Sequence, residues 1–71
     1  MAEWIEVDFP EERDVLVDGT ICGTTNEPMM VQRGTHIITL GGDQNYLSPL
    51  MPVQIFNTTK QMPMVLVFTL K

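Results

Sequence analysis

What most limits the fold of this chain is a period of two. Apolar and polar side chains alternate over short runs, and glycine, proline or Asp-Gly punctuation recurs roughly every eight to twelve residues. Successive side chains of a strand point to opposite faces, so each such run reads as a strand with one side wetted and one side dry. In Glu3–Phe9 the residues Ile5, Val7 and Phe9 alternate with Glu6 and Asp8, and Pro10 closes the run. Arg13–Asp18 sets Val15 and Val17 against Asp14, Leu16 and Asp18, and Asp18-Gly19 supplies the positive-φ residue of a tight hairpin, with Thr20–Gly23 as the return strand. After the loop formers Thr24–Glu27, an extended run starts at Pro28 and ends at Gln32, proline being tolerated as the first residue of an edge strand.

The remainder follows the same rule. Thr35–Leu40 puts His36, Ile38 and Leu40 on one side and is rich in β-branched residues. Gly41 to Pro49 reads as a long loop that needs an anchor, which Tyr46 and Leu47 supply by folding back on the core. Pro52–Asn57 and Met62–Leu70 form the last two strands; in the second, Met64, Leu66, Phe68 and Leu70 make one row and Val65, Val67 and Thr69 the other, so both faces are expected to be partly covered. Six or seven short strands joined mostly by tight turns predict an all-β chain, a small antiparallel β-sandwich forming one domain over residues 1–71.

With 71 residues, 44% of them apolar and 18% charged, the chain has enough apolar material for one core and too little length for two. The longest uninterrupted apolar stretch, Met64–Phe68, is far short of the roughly 20 residues a membrane helix needs, so membrane insertion is not expected. Net charge is −5, and Arg13, Arg33, Lys60 and Lys71 are scattered, which argues against a nucleic-acid partner. Glu3, Glu6, Asp8, Glu11, Glu12, Asp14 and Asp18 gather at one end, and for Asp8, Glu11, Glu12, Asp14 and Asp18 a solvated strand face outweighs a calcium site, whose ligand spacing they lack. Met1-Ala2-Glu3-Trp4 carries no basic and apolar leader, which points to the cytoplasm.

Pro10-Glu11-Glu12-Arg13, then Val15-Leu16-Val17-Asp18-Gly19, then Gly23-Thr24-Thr25, then Gly34-Thr35-His36-Ile37-Ile38-Thr39-Leu40 resemble, in order and spacing, the PEGA domain. That family is a small β-sandwich accessory module of bacteria and archaea. The chain departs from its pattern at Glu12-Arg13, where the name motif has Gly-Ala, and at Asn45-Tyr46, where a Gly-Tyr is usual. The resemblance implies a sandwich without catalytic activity, a framework role for His36, and a habit of residing at the cell envelope.

No residue set reads as an active site or a cofactor site. His36 titrates near neutrality, but it shares a strand face with Ile38 and Leu40 and is better read as structural. Cys22 is the single cysteine, without a visible partner base, and reads as a small, partly buried thiol. One cysteine and one histidine do not make a zinc site. Met62 and Met64 have thioethers suited to a soft cation, but filling a core is the ordinary use of methionine. Asn57-Thr58-Thr59 fits a glycosylation acceptor and reads more simply as a turn. What is left is a surface. Trp4, Met29, Tyr46 and Met51 are the candidate surface residues, with Met30 as a further member of an apolar patch. The expected role is a binding or scaffolding module that meets another protein or a second copy of itself; the alternative is a small-ligand or carbohydrate domain using Trp4 and Tyr46 as platforms, and Trp4 also suits capping the end of the sandwich.

Overall fold

The computed structural model describes residues 2–47 and 52–71, and every regular element in them is a strand. Ten segments appear: β1 (Ala2–Asp8), β2 (Asp14–Val17), β3 (Thr20–Thr24), β4 (Pro28–Gln32), β5 (Gly34–His36), β6 (Ile38–Leu40), β7 (Tyr46–Leu47), β8 (Val53–Ile55), β9 (Met64–Val67) and β10 (Thr69–Leu70). They pair as β4-β1-β9, β3-β2-β6, β5-β8 and β10-β7. No helix among the described residues is long and apolar enough to cross a membrane.

The period of two becomes burial directly. Ile5 and Val7 are fully buried and Phe9 nearly so, while Glu6 and Asp8 between them stay half-exposed. Val15 and Val17 of β2, Met29 and Val31 of β4, Ile38 and Leu40 of β6, Val53 and Ile55 of β8, and Leu66 and Phe68 complete a single core. Fully burying such a side chain stabilises by roughly 1.5–3 kcal/mol, so this row-by-row burial is the main force holding the sheets together.

Turn chemistry holds as expected at the first hairpin. Asp18 and Gly19 both have positive φ, 52° and 86°, and Val17 pairs with Thr20 across them, which defines a two-residue loop. The β2–β3 ladder then slips between Val15 and Leu16, and Gly23 lies so close to Met29 that an added Cβ would sit 3.1 Å from that side chain.

Two long strands divide and Tyr46–Leu47 forms a further short one, which is why ten segments replace six or seven. Thr35–Leu40 breaks at Ile37, whose amide donates to the Asp18 carboxylate at 2.8 Å and whose carbonyl accepts from the Asp18 amide at 2.8 Å. Before that point Gly34–His36 pairs with β8; after it Ile38–Leu40 pairs with β2. Met62–Leu70 breaks at Phe68 in the same manner: β9 pairs with β1, and β10 pairs with β7. Pairing is antiparallel throughout except between β1 and β9, which run parallel because the chain between them returns β9 to the same end of the sheet.

Arg13 organises the segment after β6. Its guanidinium donates to the carbonyls of Gly41 (3.0 Å) and Asp43 (3.1 Å) and to Asn45 Oδ1 (2.9 Å), pairs with Glu11 at 2.6 Å, and lies 5.4 Å from the Phe9 ring centre. Tyr46 supplies the expected anchor, with its hydroxyl accepting from the Leu40 amide at 3.1 Å. Leu47, expected beside it, is 53% exposed instead, because the two-residue strand β7 turns alternate side chains in opposite directions.

Candidate interaction surface

The outer face of the β4-β1-β9 sheet is built by the residues that alternate with the core. Register places Trp4 beside Met30, Glu6 between Pro28 and Val65, and Asp8 beside Val67. Met30, Val65 and Val67 are each more than half exposed, at 57%, 51% and 54%. The expectation that both faces of Met62–Leu70 are partly covered therefore fails for the valine row. Nothing among the described residues packs over it, since the core takes only the Leu66 and Phe68 side.

Charge is set into this apolar face. Glu6 and Asp8 stand two residues apart on the same side of β1, and the Glu6 carboxyl is held above its usual range. Its hydrogen bond with Asp8 is the main cause, with partial burial and the Asp8 charge adding to it. The ion pairs among the described residues are Arg13 with Glu11 and His36 with Asp18, so neither Glu6 nor Asp8 has a cation within 4 Å. Lys60 instead sits over the Trp4 ring, 5.8 Å from its centre.

A carboxylate escapes the alternation rule at the start of β1. Glu3 shares the inward row with Ile5 and is only 5% exposed, and it accepts from both the amide and the hydroxyl of Thr58, each at 2.8 Å. These bonds, the backbone one first, hold its carboxyl below the usual range. The Thr58 hydroxyl in turn accepts from the Trp4 amide at 2.6 Å, so the Asn57-Thr58-Thr59 turn clamps the first strand. Parity alone, Glu3 with Ile5 and Val7, was the signal for this burial.

His36 lies in a cleft of about 530 Å³ lined by Asp18, Cys22, Met30, Gln32 and His36 among others. Its Nδ1 is 2.6 Å from Asp18 Oδ2 and its Nε2 is 2.7 Å from the Gln32 carbonyl. Both partners only accept, so the ring satisfies both as an imidazolium donating twice. The hydrogen bond to Asp18 chiefly raises the His36 pKa, and the same bond, followed by the Ile37 amide, lowers that of Asp18. Neither ring nitrogen is left to serve Cys22 as a base, and the ring ties the β2–β3 turn to the end of β4. Cys22 itself is exposed, not partly buried as expected, because β3 is an edge strand with its outer side uncovered.

The sequence-derived surface set divides accordingly. Trp4 lies on the outer face, half-exposed. Met29 does not: it is 5% exposed and part of the core, and it is Met30 that faces out, since adjacent strand residues cannot share a side. Tyr46 is no open platform, because its ring packs against Phe9 and Phe68 at centroid distances of 6.3 and 5.7 Å, on the side of the β1 sheet opposite Trp4. Met51 lies outside the described residues. Met62 is 77% exposed while Met64 packs partly on the core, so the two thioethers do not converge. Glu6, Asp8, Val65 and Val67 are the members that sequence reasoning left out. The chain matches no known family, no curated protein and no solved structure.

Proposed function

We propose that this chain is a non-catalytic binding module, of the PEGA kind, that docks another polypeptide on the outer face of the β4-β1-β9 sheet. One observation carries the reading: Met30, Val65 and Val67 lie more than half exposed on one continuous sheet face. Scattered apolar residues are normal on a surface, but several on the outer face of one sheet are what a partner covers. The enclosure of Tyr46 agrees less well with a ligand platform. In support of the PEGA kind stand the Asp18-Gly19 hairpin and the turn at Gly34, whose φ is 131°.

A photo-crosslinking residue placed at Val67 tests the reading in cells of the source organism. A discrete adduct is expected from that position, none from Gln61 in the exposed turn before β9, and loss of the adduct when Met30 and Val65 are also changed to Thr. Adducts of equal yield from both positions, or from neither, refute the face as a docking site.

A further inference from the structure

Any partner that covers Val65 and Val67 must also cover the carboxylates of Glu6 and Asp8, which are their direct cross-strand neighbours. Taking this hydrogen-bonded acid pair out of water without a counter-charge leaves at least one negative charge unpartnered, which is strongly unfavourable and outweighs what burial of two valines returns. Among the described residues no cation pairs with either carboxylate: Arg13 is spent on Glu11 and the Gly41–Asn45 segment, and Lys60 sits at Trp4. A second copy of the chain is a poor occupant: pairing this face with itself sets four carboxylates against one another in a molecule of net charge −5.

Resting on the interaction reading above, we infer that the occupant is a segment of another protein in which lysine or arginine is flanked by apolar residues, the cation seated against Glu6 and Asp8 and its neighbours on Val65, Val67 and Met30. Such a partner turns the cost of burying the acid pair into charge-assisted hydrogen bonds. Complementary charge also speeds encounter and makes binding salt-dependent.

The test is selection from a random 12-residue displayed peptide library with the full chain as bait. Each enriched clone is then measured on the wild type, on Val65→Thr/Val67→Thr and on Glu6→Gln/Asp8→Asn, with circular dichroism showing that both variants stay folded. Enriched clones are expected to carry net positive charge between apolar residues, to lose roughly tenfold or more in affinity on each variant, and to weaken with added salt. Clones that weaken on the valine variant alone and carry no excess of lysine or arginine overturn the cationic partner while leaving the docking face standing. Clones indifferent to both variants, or no enrichment at all, overturn both readings.

Discussion

Asn26 offers a sharp test of how this fold is held, because one residue does the work of a missing strand neighbour at the end of β1. Its backbone is left-handed, with φ of 66°, and its amide donates to the Val7 carbonyl at 2.7 Å. Its side chain accepts from the Phe9 amide at 3.0 Å and donates to the Phe9 carbonyl at 2.8 Å, completing the ladder where Pro10 cuts it off. Asn26→Ala removes both side-chain bonds, worth about 0.5–1.5 kcal/mol each, and gives up the local bonding that makes asparagine more tolerant of the left-handed region than alanine. The two bonds come to about 1–3 kcal/mol, a large part of the roughly 4–10 kcal/mol that a chain of this size commands. A domain this small moves by about 4–8 °C per kcal/mol, so the midpoint should fall by about 4–24 °C. Asn26→Gly loses the same bonds but not the backbone fit; after the extra freedom of the unfolded glycine chain, it should be about 0.5–1 kcal/mol more stable than the alanine variant. Urea titration followed by Trp4 fluorescence, with an unchanged slope, measures both. An alanine variant within about 0.5 kcal/mol of wild type would refute the side-chain bridge, and a glycine variant no better than alanine would refute the backbone argument.

Three further outcomes follow from the geometry. The pair His36–Asp18 should stabilise most between about pH 4 and 6.5: its histidine share is full below the ordinary 6.5 and fades as pH rises through the elevated folded value, and its aspartate share is full above the ordinary 3.8 and fades as pH falls through the lowered one. Denaturation midpoints of Asp18→Asn against pH should lack both limbs; a profile parallel to wild type would exclude the pair as their source. Arg13→Lys keeps the charge but loses the fork that reaches Gly41, Asp43 and Asn45, so amide exchange should accelerate at Gly41 and Lys71 and not at Val15, and equal acceleration everywhere would mean that Arg13 acts on global stability. Gly19→Ala places a Cβ at φ of 86° where there is open space around it, so the cost should be the backbone term alone, about 1–2 kcal/mol in a thermal melt; a neutral result would show that the hairpin relaxes to another turn.

Much of the architecture was local and therefore legible. Alternation in Ile5–Val7–Phe9 and Val15–Val17 has one polar row, which leaves only one way for the strand to face, and Asp18-Gly19 and Pro28 mark a turn and a strand start through backbone chemistry that belongs to those residues alone. Where both rows are apolar, as in Met29-Met30 and Met64–Val67, parity cannot choose a side, and the exposed row of Met30, Val65 and Val67 was hidden for that reason. The partner switches at Ile37 and Phe68, the parallel β1–β9 pair, and the hold of Arg13 on Asn45 from 32 residues away depend on which segments meet in space.

The amino-acid order by itself determined that this chain is all-β, where most of its turns fall, and which row of its one-sided strands goes dry, because period-two burial and turn geometry are decided within a few residues. Only the tertiary structure decided which sheet each half-strand joins, that Glu3 is buried on Thr58, and that Val65 and Val67 face out beside Glu6 and Asp8. The physical reason is that ladder partners, counter-charges and cover for an apolar row come from distant parts of the chain, and no local pattern encodes who arrives there.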